Sequence, residues 1–255
     1  MINTFLKFCF LCACIFGRQI FATDTLEAVN SNHQIQETVL PEIIDLSKLT
    51  QTKCDNLDPE LYKVGALAFN EAPEILSVVH YLKNRFGINT AIETGIFEGC
   101  TTIALSQSFQ CVFGVEINPE FILKTKTNIS HAGSSLSNII FKEGSSPVVL
   151  SQLLPELKDE FLFFYLDSHW NEYWPILDEL KVIAQTHKDR CVIMIDDFLV
   201  PGYPEIRACQ YKGQVLSKDY IAEFIKSIFT NPQLHFVVPK HRLHKGKAIV
   251  FPGGL

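Results

Sequence analysis

Three aspartates come at or directly after the ends of apolar stretches of the chain. Asp167 closes "EFLFFYLD", and Asp196 and Asp197 come directly after "RCVIMI". Carboxylates that are brought together raise one another's pKa unless a cation neutralises them. Sites built from oxygen ligands alone suit Mg2+, Mn2+ or Ca2+ rather than zinc. The three aspartates are therefore predicted to bind a divalent metal, and Mg2+ is the expected ion.

Structural alternatives stay open for these side chains. One aspartate could cap a helix while another pairs with a basic residue, for which Arg190 and Lys181 are candidates. His169 follows Asp167 by two positions, so its imidazole could accept a proton as a general base. A histidine that is simply hydrogen-bonded within the fold is an equally good interpretation of the same residue.

A second group of candidates lies in and after "ETGIFEGCTT", at residues 93–102. Gly95 and Gly99 would allow a tight turn that brings backbone amides and a helix start close to a ligand. The pattern is neither the GxGxxG of dinucleotide binders nor the GxxxxGK[ST] of phosphate loops. Glu116 falls 21 residues after Gly95, at the end of the next apolar stretch. A carboxylate at that place can accept both hydroxyls of a ribose.

The elements that carry these residues alternate regularly from Glu71 onward. The stretches "NTAIET", "CVFGVEI", "NIIFKEG", "EFLFFYLD" and "RCVIMIDDF" are predicted strands, each followed by a predicted helix. This alternation predicts an α/β, doubly wound parallel sheet with helices on both faces. Ligands bind such sheets at the carboxyl edge, where both groups of candidates fall. "LHFVVP" and "KAIVFPG" predict a closing antiparallel hairpin, and the basic "PKHRLHKGK" is interpreted as its solvated turn.

The amino-terminal residues differ from the rest in composition. Residues 1–22 contain an apolar run from Phe8 to Gly17 and end on the small residue Ala22, which predicts a cleaved signal peptide and export. An uncleaved anchor is the alternative. Residues 23–70 are predicted to be an extension in which "VLPEIIDLSKL" could dock on the core, and residues 71–255 to be the main domain.

Composition excludes several classes of partner. The net charge is −6, which argues against nucleic acid or an anionic membrane as the main partner. The cysteines outside residues 1–22 have no CxxC spacing, which argues against a zinc site. Cys54 and Cys209 lie in loop-like sequence and could pair in an oxidising compartment.

In chain order, "ETGIFEGCTT", "GVEINPE", "EGSSP", "FYLDSHW" and "MIDDFLVPGYPE" resemble the class I S-adenosylmethionine-dependent methyltransferases. Within that class they are similar to the metal-dependent O-methyltransferases of the catechol O-methyltransferase type. The resemblance runs from about Glu71 to Glu205, over half of the chain. It implies a Rossmann-like, seven-stranded sheet with a reversed last strand, and S-adenosylmethionine as cofactor beside the metal.

The resemblance also assigns roles to individual residues. The methionine part of the cofactor would contact Glu93, Gly95, Phe97 and Gly99, with Thr101 near its carboxylate; Glu116 would hold the ribose; Ile117, Ser146 and Trp170 would border the adenine; and Asp167, Asp196 and Asp197 would bind the metal.

One departure from the family concerns the general base. The catechol enzymes have a lysine just after the His-Trp pair, whereas this chain has Asn171 there and one extra residue, Ser168, before the pair. Related methyltransferases of sugar hydroxyls use a histidine near the first acidic ligand, a part that His169 could play. The expected acceptor is therefore a hydroxyl of a small molecule or sugar. The alternatives are a metal-dependent hydroxylase-like enzyme on the same fold and a secreted, non-catalytic cofactor-binding module.

Overall fold

The computed structural model describes residues 40–46, 67–131, 136–168, 173–240 and 245–254. All of them belong to one unit that spans Leu40–Leu255. The predicted signal peptide, most of the predicted extension, Cys54, His169 and Trp170 lie outside the described residues.

An eight-stranded sheet forms the centre of the fold, with a small two-stranded sheet beside it. The order in the large sheet is β1-β9-β10-β6-β5-β2-β3-β4, and β7 pairs with β8. The strands are β1 (Ile43–Asp45), β2 (Thr90–Thr94), β3 (Cys111–Glu116), β4 (Ile139–Glu143), β5 (Leu162–Leu166), β6 (Cys191–Phe198), β7 (Gln210–Tyr211), β8 (Gln214–Val215), β9 (Pro232–Val238) and β10 (Gly246–Pro252).

The predicted parallel sheet and closing hairpin are confirmed. Strands β6, β5, β2, β3 and β4 are parallel neighbours, and β10 is antiparallel to both β6 and β9. The predicted count of seven strands is wrong, because β1 pairs in parallel with the outer side of β9, with Ile44 opposite Val237. A strand of three residues is too short for its pattern to be recognised in the sequence.

Helices cover both faces of the sheet, as predicted. They are α1 (Ile75–Phe86), α2 (Cys100–Ser106), α3 (Pro119–His131), α4 (Ser146–Leu153), α5 (Ile176–Thr186) and α6 (Lys218–Ile228), with a 3-10 helix at Leu154–Leu157. Alternate residues of a strand point to opposite faces. Accordingly, Phe164 packs with α4, α5 and α6, whereas Phe163 and Tyr165 pack with α1 and α2. No helix in the described part of the chain is both long and apolar enough to span a bilayer.

The residues Ala68–Glu71 form a left-handed turn that packs on the side of the sheet covered by α1 and α2. Phe69, Asn70 and Glu71 have φ of 54°, 55° and 61°, which is a costly conformation for residues other than glycine. Phe69 is fully buried and packs edge-on against Tyr165, with ring centroids 5.2 Å apart. The Phe69 N–H also donates a 2.8 Å hydrogen bond to Thr101 Oγ1. These contacts hold the strained turn against the start of α2.

Candidate cofactor site and acidic cluster

A cavity of about 360 Å³ opens where β2 ends. Five residues that the sequence analysis singled out line it together, although they come from different parts of the chain. The lining consists of Leu67, Asn70, Glu71, Glu93, Gly95, Ile96, Phe97, Glu98, Cys100, Thr101 and Asp167.

Gly95 has a structural reason to be glycine. Its φ is +79°, and a Cβ built on it would lie 2.5 Å from the backbone oxygen of Asp167. Its N–H donates a 2.9 Å bond to the carbonyl of Val115. A side chain at this position would therefore disturb the close approach of the ends of β2 and β5.

Gly99 lies against a helix rather than in the cavity lining. Its φ is +81°, and a Cβ there would be 2.1 Å from Thr125 Cγ2 on α3. The glycine is the residue just before α2 and lets α3 pack directly against that helix start. The structure thus places Gly99 behind the site, where it fixes the orientation of α2.

Glu93 is a buried carboxyl in the lining of the cavity, with only 2% of its surface exposed. Burial raises its pKa to about 8, and the nearby Glu116 and Asp196 carboxylates act in the same direction. The Thr102 hydroxyl donates a hydrogen bond to Glu93 Oε2. Glu93 is therefore mostly protonated at pH 7 until a cationic group comes close to it.

Glu116 is held firmly at the end of β3. Its Oε1 accepts from the Asn118 N–H at 3.0 Å, and its Oε2 accepts from the Phe97 N–H at 3.2 Å. Each carboxylate oxygen has a second lone pair with which it can accept from a ligand hydroxyl. Phe97 is 44% exposed and packs against Phe121, with ring centroids 4.7 Å apart.

The remaining described cofactor candidates lie at the same edge of the sheet. The Ser146 hydroxyl donates a 3.2 Å bond to Ser168 Oγ, and the Ser168 hydroxyl donates a 2.6 Å bond to the buried Glu179. Ile117 is 70% exposed just after β3. Thr101 Oγ1 accepts from Phe69, so its own hydroxyl hydrogen can still be donated to a ligand.

Asp196 is fully buried and accepts four hydrogen bonds. Oδ1 accepts from the Lys247 ammonium and, at 2.7 Å, from the Asp197 N–H. Oδ2 accepts from the Tyr165 hydroxyl and, at 2.6 Å, from Asn70 Nδ2. Burial and the Asp196 charge raise the pKa of Tyr165 well above its usual range, which keeps that phenol protonated as a donor.

The other two aspartates have different surroundings. Asp197 Oδ2 accepts a hydrogen bond from the Lys245 ammonium. Burial alone would lower the pKa of Lys245, but the hydrogen bond to Asp197 and the charges of Asp197, Cys209 and Asp196 together raise it. Asp167 lines the cavity, and burial together with the Asp196 and Asp197 carboxylates raises its pKa well above the usual range.

These contacts do not fit a divalent cation bound by the three aspartates. The Asp196 and Asp197 carboxylates each already contact a lysine ammonium. In the part of the chain that the structure describes, no group of three His, Cys, Asp or Glu side chains is arranged to hold a metal. The alternative in which an acid pairs with a basic residue is the better description, but the partners are Lys247 and Lys245 rather than Arg190 or Lys181.

Sequence reasoning missed four side chains of this cluster: Tyr165, Asn70, Lys245 and Lys247. The interpretation of "PKHRLHKGK" as wholly solvated was wrong at its last residue, because Lys247 is 2% exposed. A recognisable signal was available: Lys247 begins "KAIVFP", so a lysine stands inside an apolar strand. A lysine is seldom fully buried unless it is paired.

Comparison with known proteins gives structural relatives only. No protein-family model matches the sequence, and no curated protein is significantly similar to it. The O-methyltransferase of Bacillus cereus, solved with S-adenosylhomocysteine, superposes with a TM-score of 0.57 at 17% identity, over 77% of this chain and 93% of that one. The O-methyltransferase TomG of Streptomyces achromogenes, solved with S-adenosylmethionine, gives 0.56 at 16%, over 77% and 91%.

A third structure of the same kind is a methyltransferase of Podospora anserina bound to S-adenosylhomocysteine. Its TM-score is 0.50 at 13% identity, over 77% of this chain and 90% of that one. Each alignment covers at least nine-tenths of the relative, so the likeness extends over its whole domain. The chain therefore has the Rossmann-like fold of the S-adenosylmethionine-dependent O-methyltransferases.

Proposed function

We propose that this protein is an S-adenosylmethionine-dependent methyltransferase that acts on a hydroxyl group of a small molecule or sugar. The observation that carries the proposal is the cavity at the end of β2, with Glu116 fixed at the end of the neighbouring β3. This is the place where doubly wound sheets bind their ligands. The relatives with this fold that were solved with S-adenosylmethionine or S-adenosylhomocysteine support the choice of cofactor.

The residues of the cavity suit the parts of this cofactor. Glu93 offers a buried carboxyl to an ammonium group, and Thr101 offers a hydroxyl donor to a carboxylate. Glu116 offers acceptors to the two hydroxyls of a ribose. The exposed Ile117 gives an apolar surface to an adenine, and Ser146 and Trp170 remain its other predicted neighbours, Trp170 outside the described residues.

Bound S-adenosylmethionine supplies a methyl group that is already activated for transfer. The chain's own task is to align an acceptor oxygen with that group and to exclude competing water. His169 remains the predicted acceptor of the hydroxyl proton. Phe97, at 44% exposure on the cavity rim, can pack against the acceptor and fix its position.

The sequence also predicts metal assistance, which the lysine contacts of the aspartates do not support. The lysine partners of Asp196 and Asp197 support a site that works without a divalent ion. The same contacts count against the hydroxylase-like alternative, because that reaction would depend on a bound metal. The proposal therefore keeps hydroxyl methylation and leaves the metal to be tested.

We also keep the proposal that the mature chain is exported. Its support is the apolar run from Phe8 to Gly17 followed by Ala22. Amino-terminal sequencing of protein from the native host tests it: a start near residue 23 is expected, and an intact Met1 on cytosolic protein would contradict it.

A turnover assay tests the reaction itself. The purified protein is incubated with methyl-labelled S-adenosylmethionine and a panel of catechols, other phenols, sugars and aliphatic alcohols. Label in an ether product, formed together with S-adenosylhomocysteine, is the expected result. Cofactor binding without label transfer across the panel and in host extract would support the non-catalytic module instead.

A further inference from the structure

We propose that Lys247 and Lys245 supply the positive charge that a divalent metal would bring to this sheet edge, so that the protein needs no such metal. The role given to these lysines in catalysis rests on the proposed methyl transfer. The contacts that they make with the aspartates do not depend on it. Lys247 acts as a positioning residue that holds Asp196. Lys245 is the ammonium group that an acceptor can approach.

The bulge in β6 is the first observation. Phe198 pairs with Gly246 and Ile195 pairs with Ala248, so two residues of β6 lie opposite one residue of β10. Those two residues are Asp196 and Asp197, and the one residue opposite them is Lys247. Asp197 has a φ of 56°, as expected for a residue re-aimed by a bulge. In a regular strand Asp196 and Asp197 would point to opposite faces of the sheet, and the bulge changes that arrangement.

The coordination of Asp196 is the second observation. A carboxylate offers about four lone-pair positions. Lys247, the Asp197 N–H, Tyr165 and Asn70 donate to it, two on each oxygen. A cation would have to displace one of these four donors. Tyr165 and Lys247 are buried and the Asp197 N–H belongs to the backbone, so these three are held in place. Lys247 itself has a side chain only 3% exposed, so its charge is fixed beside Asp196.

Gly246 explains why the two strands can come so close. A Cβ at this position would lie 2.2 Å from Val200 Cγ2 and 2.8 Å from the Phe198 carbonyl oxygen. Lys245 and Lys247, which flank this glycine, can therefore both reach β6. The sequence Lys-Gly-Lys is thus fitted to Asp196 and Asp197 as a pair of ion pairs, one buried and one with its lysine 40% exposed.

The exposed pair gives the proposal its chemical role. The Lys245 ammonium can donate to an acceptor oxygen while it keeps its contact with Asp197, since an ammonium has three donors. As the acceptor hydroxyl loses its proton to His169 or water, this charge stabilises the oxygen. Bound S-adenosylmethionine would supply the methyl group, so an oxygen–carbon bond would form as its sulfur–carbon bond breaks and its sulfonium charge is lost. No oxidant, reductant or metal enters this balance.

Mn2+ titration followed by electron paramagnetic resonance tests the proposal directly. The full protein is stripped with a chelator and titrated alone and with saturating S-adenosylmethionine. We expect no stoichiometric site tighter than about 1 mM, a weak affinity on the scale of binding constants. One Mn2+ bound per chain at micromolar concentration, under either condition, would overturn the proposal.

A matched pair of variants gives the converse test. Lys247→Met leaves Asp196 without its counter-ion, so Tm should fall by about 10 °C, the scale for breaking a buried pair in a chain of this size. Millimolar Mg2+ should then raise the Tm of this variant, but not that of the parent or of the control Lys226→Met, whose lysine is 69% exposed. Mg2+ that stabilises parent and variant equally would contradict the proposal.

Two further measurements keep the outcomes separate. If Lys247→Met does not fold, Lys245→Met takes its place in the Mg2+ test. The Mn2+ titration of the parent still decides whether the chain has a metal site. Calorimetry with S-adenosylmethionine in the presence of a chelator tests the proposed function independently. A parent that binds both the cofactor and Mn2+ tightly would refute the lysine proposal alone, and a parent that binds neither would refute only the proposed function.

Discussion

Asn70 and Asp196 are 126 positions apart in the sequence, and Asn70 Nδ2 donates a 2.6 Å hydrogen bond to Asp196 Oδ2. The bond connects the left-handed turn at Ala68–Glu71 with the acidic cluster. Leu67, Asn70 and Glu71 also line the cavity. A turn that is strained in three successive residues thus forms one wall of the candidate cofactor site.

Asn70→Ala should therefore weaken both stability and cofactor binding. Removing a donor from a buried, charged acceptor costs about 1.5–3 kcal/mol. The strained turn would also lose one of its fastenings, so its wall of the cavity should loosen. Urea unfolding and cofactor titration measure the two effects. Asn231→Ala, at an exposed asparagine, is the control, and equal behaviour of the two variants would contradict this role for the turn.

Gly99→Ala should be more destabilising than Gly87→Ala. Both glycines have positive φ, of 81° and 64°, so both variants carry the conformational cost of about 1 kcal/mol. Only at Gly99 would the new Cβ strike a neighbour, Thr125, whereas nothing lies within 4 Å at Gly87. Thr125→Ala in the same chain should recover part of the loss. Equal midpoints of unfolding for the two single variants would show that α3 can simply move aside.

Cofactor binding should become tighter as pH rises from about 6 to 8. Burial raises the pKa of Glu93 to about 8, so the carboxyl mostly holds a proton at pH 7. An ammonium group bound beside it favours the charged form, and binding should therefore release that proton. Calorimetry at pH 7 in two buffers of different ionisation enthalpy measures the release. Glu93→Gln has no carboxyl to ionise, so this variant should release fewer protons on binding than the parent. An unchanged proton release would assign the effect to another group.

The strong periodic elements could be predicted from the sequence, and the contacts between distant segments could not. Apolar strands such as Leu162–Leu166 and Cys191–Phe198 can be recognised from their composition. The order of such strands predicts that Asp167, Asp196 and Glu116 lie at one edge of the sheet. The three-residue strand Ile43–Asp45 depends on pairing with Pro232–Val238, almost 200 positions away, and has no local signal of its own.

The chemistry of the acidic cluster was harder to predict for a physical reason. A group of acids predicts a cation, but the sequence does not say whether that cation is a metal or a lysine from another strand. The register of β10 against β6, with its bulge at Asp196 and Asp197, decides the matter. Gly246, which allows this close approach, lies between the two lysines and could have been taken as a sign of it.

Calorimetry of S-adenosylmethionine binding to the parent, Glu116→Ala and Glu120→Ala tests the central claim most directly. Glu116 should accept hydrogen bonds from the bound cofactor, so its loss should weaken binding by about 1.5–3 kcal/mol, or roughly 10- to 150-fold in Kd. Glu120 is exposed at the start of α3, and its alanine variant should bind like the parent. A parent that gives saturable, one-to-one binding, weakened only by Glu116→Ala, is the predicted result. A parent that does not bind the cofactor, or equal affinity in all three proteins, would contradict the account.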